Sequence, residues 1–391
     1  MDRTILHCDC NGFYASVECV LKPELKNVPM AVGGNEEMRH GIILAKNELA
    51  KKFNVLTAET IWQAKRKCPE LVVVPPHREL YYQYSKHVKD IYCRYTDYVE
   101  SFGLDEAWLD VTGSRRLFGD GVTIANELRR IVREETGLTI SVGVSFCKVF
   151  AKLGSDYKKP DATTVFDRVN WKEKIYPLSV KDLLYVGRST AKELEQLGIK
   201  TIGELARFDE RTLYNHLGKA GTMLHRYANG LDNDPVKLVY EKEEVKSVGN
   251  GITFPHDLVG EDEVRSGVYE LSDSIAVRMR RKKLKCTTVQ VTIKDPDFRT
   301  INRQQKLVSP TYTARDIREA AMEIIKRSWN LQKPIRMLTV TGTGLIKDDE
   351  IYEQMTLFNE DNERSRRAEK LEKTVDSLKS RFGDVVSLGK K

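Results

Sequence analysis

The sequence lacks the features that would place it in a membrane or outside a cell. No run of apolar residues approaches the roughly 18 that a membrane-spanning helix needs, and mean hydropathy is −0.45. The first residues enter a strand-like segment, Thr4-Ile5-Leu6-His7, without the basic head and long apolar stretch of a signal peptide. The seven cysteines are odd in number and form no CxxC pair, so neither a disulfide framework nor a structural zinc site is expected. His7-Cys8-Asp9-Cys10 mixes soft and hard ligand types, but on a strand residues 7 and 9 face away from residues 8 and 10, so the four do not converge on one ion. What remains is an expected cytoplasmic chain with no membrane partner. Its 391 residues, 40% of them apolar, suit two to four domains with their own cores.

Charge is present and unevenly spread. The formal net charge is +7, and residues 278–306 hold ten Lys or Arg against two Asp or Glu. A concentrated basic stripe suits a polyanionic partner, although a solvated basic face has the same composition.

Patterning over the first 166 residues alternates strands and helices. Segments 4–10, 98–102, 107–111 and 139–144 read as strands, and 80–96 and 121–136 as helices, the latter with Val122, Ala125, Leu128 and Val132 on one face. The order β-α-β-β-α-β is the split βαβ plan, interrupted by residues 11–76 with helical pieces at 46–53 and 60–67 and a strand at 71–74. In that plan the first two strands run the same way, since a crossover helix joins them. Asp9, ending the first strand, and Asp105-Glu106, in the turn after the second, then share one sheet edge. Residues 177–230 read as helical, with a helix–Gly–helix at 183–205 and a weaker copy around Leu217–Ala228. Segment 232–246 reads as a linker. Beyond it come helices at 263–281 and 313–329, strands at 287–294 and 336–345, an extended piece at 346–358 and a charged helix at 359–382.

Three carboxylates on one edge repel unless cations lie between them. Hard oxygen ligands suit Mg²⁺, and two such ions clamp the attacking and leaving oxygens of an in-line phosphoryl displacement. A polar hairpin turn has the same Asp-Glu pair. Lys148 and Lys152 share a helix face, as expected beside a triphosphate or on any basic helix. Backbone N–H groups at the start of the helix after Gly187 can take phosphate oxygens without reading sequence. Gln354-Met355-Thr356-Leu357-Phe358 sets three apolar side chains on an extended segment, a form that docks in a partner's groove or folds back on its own domain.

Taken in order, these motifs resemble the Y-family translesion DNA polymerases, most closely the bacterial DNA polymerase IV branch, over about residues 1–360. The resemblance rests on Asp9 through Tyr14, Gly41-Ile42-Ile43-Leu44-Ala45-Lys46-Asn47 with Lys51, Gly103-Leu104-Asp105-Glu106-Ala107-Trp108-Leu109-Asp110, Ser141-Val142-Gly143-Val144-Ser145, Lys148-Val149-Phe150-Ala151-Lys152 and Lys159-Pro160. It implies an α/β multidomain fold. Its parts are a split-βαβ (ferredoxin-like) palm (1–10 and 77–166), small fingers (11–76), an all-α helix–hairpin–helix thumb (167–232), a linker (233–246), an α/β little finger (247–346) and a tail (347–391). It implies a distributive, low-fidelity polymerase, expected as a monomer, that acts on primer–template DNA with deoxynucleoside triphosphates. Two Mg²⁺ ions, replaceable by Mn²⁺, would be held by Asp9, Asp105, Glu106 and the Cys10 carbonyl. Tyr14 matches the steric gate against ribonucleotides, Phe13 a second aromatic by the sugar, and Lys159 a triphosphate ligand. Gly187 and Arg188 would grip DNA from the thumb, and Arg280, Arg281, Lys283, Lys285, Arg299 and Arg303 from the basic stripe. Gln354, Met355, Leu357 and Phe358 match the peptide that binds the bacterial sliding clamp.

The chain departs from the family pattern in the fingers. Ala45, Asn47-Glu48 and Lys51 stand where the family has Ser or Thr, Asn-Tyr and Arg, so either Lys46 and Lys51 hold the triphosphate instead or nucleotide affinity is low. Val186-Gly187-Arg188 replaces a Gly-x-Gly. Two rival readings stay open: an idle DNA-binding scaffold of the same fold recruited to a clamp, and another two-metal enzyme on a split-βαβ palm, such as a nucleotidyl cyclase.

Overall fold

Strand β1 (Ile5–Cys10) is buried at every position, because helices cover both faces of the sheet it runs through. The structure, a computed structural model, describes residues 2–35, 37, 39, 41–241, 244–348 and 360–382. It divides into two units, residues 1–36 with 41–242, and residues 37–40 with 243–391.

The first unit continues through α1 (Phe13–Leu21), β2 (Met30–Gly33), β3 (Ile43–Lys46), α2 (Glu48–Lys52), α3 (Ile61–Lys67), β4 (Val72–Val74), α4 (Arg78–Tyr92), β5 (Val99–Ser101) and β6 (Glu106–Asp110). There follow α5 (Arg115–Phe118), α6 (Gly121–Thr136), β7 (Ile140–Ser145), α7 (Lys148–Tyr157), β8 (Thr163–Phe166), α8 (Trp171–Ile175), α9 (Arg188–Gln196), α10 (Ile202–Arg207), α11 (Glu210–Leu217) and α12 (Lys219–Ala228). The main sheet has the order β5-β6-β1-β7-β8. β1 pairs antiparallel with β6 and β7, and β6 antiparallel with β5, so β1 and β5 run the same way, as the split βαβ plan requires. β8, not anticipated from the sequence, adds a parallel edge to β7. Leu6, Cys8 and Cys10 face a core with Tyr81, Val88 and Ile91 of α4 and Ile124, Leu128 and Val132 of α6. β2, β3 and β4 form a separate small sheet.

α7 covers the other face of β1 at unusually short range. A Cβ on Gly143 would overlap the Ala151 carbonyl oxygen and lie 2.5 Å from the Ser155 nitrogen, and Gly154 faces the Gly143 Cα in return. Backbone thus meets backbone, which only glycine allows. The N-terminus of α7 is fixed from far along the chain, because the buried Asp232 accepts the Val149 N–H through Oδ2 at 3.1 Å. Val236 is buried beside Ile5, Trp108 and Ala151, and Lys237 N–H donates to Glu100 at 3.0 Å. The segment expected as a linker is therefore packed onto the first unit as far as these residues. The apolar side chain and capping carboxylate that anchor it carry no periodic signal.

The second unit holds β9 (Ser247–Leu258), α13 (Glu261–Arg281), β10 (Leu284–Lys294), β11 (Thr300–Thr311), α14 (Ala314–Ser328), β12 (Ile335–Lys347) and α15 (Glu360–Phe382). Its sheet has the order β11-β10-β12-β9, antiparallel throughout. α13 and α14 bury Leu271, Ile275, Ile317 and Ile325 against Val289, Val291, Ile293, Leu338 and Val340. β9 and β11 were missed in the sequence. β9 contains two glycines and a proline, and β11 is an edge strand with most positions exposed, so neither alternates cleanly. Among the described residues no helix is long and apolar enough to cross a membrane.

Gly143→Ala should cost about 3 kcal/mol or more, the upper end for overpacking, because the added carbon meets backbone that has no rotamer to change. Chemical denaturation of the variant beside the parent measures this directly.

Candidate active site

Strand register brings the carboxylates together. Asp9 lies opposite Glu106 in the β1–β6 pairing, and the Cys10 N–H donates to the Asp105 carbonyl at 3.0 Å. α7 and the segment just after it then supply cations from above. Lys152 Nζ is 3.0 Å from Asp9 Oδ2, 2.6 Å from Glu106 Oε2 and 3.1 Å from Asp156 Oδ2. Lys159 Nζ is 2.7 Å from Asp9 Oδ1 and 2.7 Å from Asp156 Oδ1. Lys148, on the same helix face, is drawn elsewhere: its ammonium pairs with Glu100 at 2.8 Å and lies 4.7 Å from the centre of the Trp108 ring.

Formal charge leaves this cluster negative. Asp9, Asp105, Glu106 and Asp156 face the ammoniums of Lys152 and Lys159. Burial, then the charges of Asp9 and Glu106, push the Asp105 carboxyl above its usual range. Burial acts on Glu106 in the same direction, but contacts with His7 and Lys152 outweigh it and hold that carboxyl down to about 2. An acidic group forced upward by its neighbours marks a place where added positive charge is favoured. The donor set, carboxylate oxygens at a strand end, fits hard divalent cations.

His7 is a site residue that the sequence reading weighed only within a four-residue soft-metal cluster and set aside. It lies two residues before Asp9 on the same strand face, and its ring reaches Glu106 with Nε2 at 3.3 Å and Ser155 with Nδ1 at 2.8 Å. Burial lowers its basicity. The same-face spacing was visible in the sequence. The pairing of β1 with β6 and the approach of α7, which give that spacing its partners, were not.

Past the carboxylates, Gly12 turns the chain in the left-handed region (φ 53°) into α1. Tyr14 is half-buried, its ring stacked on Tyr81 with centroids 4.3 Å apart and planes 13° apart. The Tyr81 hydroxyl donates to the buried Glu18 at 2.5 Å, and His77 Nδ1 lies 2.9 Å from the same carboxylate. Phe13 is only 3% exposed, so its ring belongs to the sheet core and Tyr14 keeps the open position.

In the small sheet, Lys46 Nζ donates to Thr57 at 3.1 Å. Glu48 and Lys51 are both exposed and 3.6 Å apart, so the carboxylate pairs locally with the lysine. Asn47 is a structural residue. It accepts from Ala50 N–H and Met30 N–H and donates to the Val28 and Leu25 carbonyls, locking α2 to β2. Gly187 is the N-cap of α9, and Arg188, its first residue, is exposed.

The expected basic stripe is divided. Arg281, Lys283, Arg299 and Arg303 are exposed, but Arg280 and Lys285 are not available as expected. The Arg280 side chain is 5% exposed, in contact with Glu372 and 2.6 Å from Asp376 of α15. Lys285 is paired with Glu369 at 2.9 Å and Asp348 at 3.3 Å. Carboxylates 63 to 96 residues away in sequence have taken both cations, a pairing that composition does not reveal. What was missed is the sheet face opposite α13 and α14. There Thr339, Thr341 and Thr343 of β12 lie between Thr288, Gln290 and Thr292 of β10 and Gly251, Gly249 and Ser247 of β9, an uncharged surface of hydroxyls and bare backbone. Residues 354–358 lie outside the described residues.

Comparison with known proteins points one way. Models of the impB/mucB/samB family match residues 8–156, of that family's C-terminal domain residues 245–357, and of the DNA polymerase-iota thumb domain residues 181–232. The chain is 50% identical to DNA polymerase IV of Acetivibrio thermocellus over 98% of its own length and 96% of the relative's. It is 37% identical to DNA polymerase IV of Clostridium kluyveri over 99% and 97%. A solved Y-family DNA polymerase chimera shares the fold with a TM-score of 0.78 at 22% identity, covering 88% of this chain and 99% of that one.

Proposed function

The chain belongs to the impB/mucB/samB family, the Y-family DNA polymerases of the polymerase IV branch, and is a DNA-directed DNA polymerase; from that premise we propose that it extends primers past damaged template bases by two-metal phosphoryl transfer. The observation that carries the mechanism is the register of Asp9 against Glu106 with Asp105 tied to Cys10, which supports Asp9, Asp105, Glu106 and the Cys10 carbonyl as the holders of two Mg²⁺ ions, with Mn²⁺ as a substitute. When bound, such ions stabilise charge on the attacking 3′-hydroxyl and on the leaving pyrophosphate.

The protein's own groups do the positioning. Lys159 and Lys152 hold Asp9 and Glu106 in place through ion pairs. Once metal charge satisfies the carboxylates, both ammoniums are free to turn to the triphosphate. Lys46 and Lys51 approach the triphosphate from the small sheet as point charges, without the fork of an arginine. Tyr14, fixed by its stack on Tyr81, meets the sugar and excludes a 2′-hydroxyl. The small sheet β3-β2-β4 with two short helices is our candidate for the fingers, a limited cover over the nascent pair that tolerates distorted templates. The sheet of β5 to β8 is the palm, α9 to α12 the thumb, and the second unit through β12 the little finger.

DNA contacts fall to phosphates. Gly187 and Arg188 offer an exposed helix start, and Arg281, Lys283, Arg299 and Arg303 offer exposed charge. The hydroxyl face of β10 and β12 adds neutral hydrogen bonds that are indifferent to sequence. We assign Gln354–Phe358 to a sliding clamp and the chain to the cytoplasm. The idle-scaffold reading fits the altered fingers but not an intact carboxylate set, and the cyclase reading leaves the thumb and second unit without work.

Asp105→Ala and Glu106→Ala should each lose several kcal/mol of transition-state stabilisation, about a thousandfold in rate, with DNA affinity retained. Primer extension with Mg²⁺ and four deoxynucleotides decides this, and near-parental rates in both variants would exclude the metal assignment. Tyr14→Ala should admit ribonucleotides, read as extension with ribonucleoside triphosphates alone. Primer–template affinity should fall at least about a hundredfold between about 50 and 200 mM salt, as titration of labelled DNA would show.

A further inference from the structure

Behind the carboxylates lies a donor that this reading does not use. His7 is fully buried, two residues before Asp9 and on the same face of β1. Its Nδ1 is 2.8 Å from Ser155 Oγ, and that hydroxyl already donates to the Lys152 carbonyl at 2.8 Å. A hydroxyl has a single hydrogen to give. In the tautomer with its proton on Nδ1, the imidazole donates to Ser155. The other nitrogen, Nε2, presents a lone pair. It faces Glu106 Oε2 at 3.3 Å, and the Lys152 ammonium lies 2.6 Å from that same oxygen. A lone pair held against a carboxylate oxygen in the protein interior is unfavourable unless a cation lies between them.

The spacing suits an ion. Two donors each about 2.0–2.2 Å from one metal stand about 2.8–3.6 Å apart at octahedral or tetrahedral angles, and the observed separation is 3.3 Å. Ligand atoms of His7, Asp9 and Glu106 all lie within 4.8 Å of one another. We propose that His7 Nε2, Asp9 and Glu106 form a mixed nitrogen–oxygen site for a borderline divalent transition ion such as Co²⁺ or Zn²⁺. The Nδ1–H bond to Ser155 is the outer hydrogen bond that orients a ligating histidine and fixes its tautomer. An imidazole donor favours such ions, whereas Mg²⁺ takes oxygens. Lys152, 2.6 Å from Glu106 and 3.0 Å from Asp9, stands in the cation's place, and Asp156 at 3.1 Å gives its ammonium a partner when an ion enters. The site rests on the reading of Asp9 and Glu106 as metal ligands. Because it borrows both from the catalytic set, its occupancy and Mg²⁺-supported synthesis exclude each other.

The test is Co²⁺ titration of the full chain without DNA or nucleotide, followed by calorimetry, together with pulsed EPR of the Co²⁺-loaded protein carrying isotopically labelled histidine. The expected result is a directly bonded imidazole nitrogen in the parent protein. His7→Gln should weaken Co²⁺ binding at least about tenfold, and Ser155→Ala, which releases the tautomer, by a smaller factor. Absence of histidine coupling in the parent, a measurement that needs no variant, overturns the proposal. So does unchanged Co²⁺ affinity in His7→Gln while Glu106→Gln weakens it, a result that leaves the carboxylate site intact. If neither substitution alters Co²⁺ binding, both readings fail.

Discussion

Helix α7 rests on β7 with no side chain between them, Gly154 against the Gly143 Cα, and the chemistry of the first unit is arranged by that contact. At ordinary helix–sheet spacing, about 10 Å between layers, a lysine would reach the strand-end carboxylates only at full stretch. At backbone contact, Lys152, Ser155 and Asp156, three and four residues apart on one helix face, lie directly over His7, Asp9 and Glu106. The same closeness removes water, so each charge there is felt more strongly than at the surface. Asp232, arriving just after α12, fixes the free end of α7 and so ties the segment leaving the first unit to the helix over its carboxylates.

The parts legible in the sequence were those whose signal is local or whose geometry follows from chain order. The split βαβ order alone places Asp9 beside Asp105-Glu106, because strand direction is a consequence of crossover. His7 and Ser155 were not legible as a pair: 148 residues separate them, and only the glycine contact makes them neighbours. β9 and β11 failed for another reason. Their glycines, proline and exposed edge positions erase the alternation that makes a strand readable. Asn47 was read as part of a triphosphate motif, yet its amide is spent on four backbone partners.

The basic stripe shows how composition misleads about availability. Ten cations in 29 residues looked like a continuous polyanion-binding surface, but Arg280 and Lys285 are neutralised by α15, where Glu372 also caps the first N–H of α14. A buried arginine with two carboxylates is costly to separate, since removing either side strands a charge away from water. The terminal helix is thus part of the second unit's architecture, and the charges left for nucleic acid are fewer and more dispersed than a count suggests.

The threonine and glycine face of β10, β12 and β9 bears on motion. A hydroxyl rotates, offering its hydrogen or its lone pairs as the neighbour demands, and a row of them carries no fixed charge to grip one phosphate in preference to the next. A nucleic acid strand lying on such a surface meets nearly the same energy at each register, so advance by one nucleotide has little to break and little to rebuild. A face built from arginines would hold harder and step more slowly. If DNA lies on this face as proposed, the sheet would act as a bearing, setting ease of translocation ahead of grip.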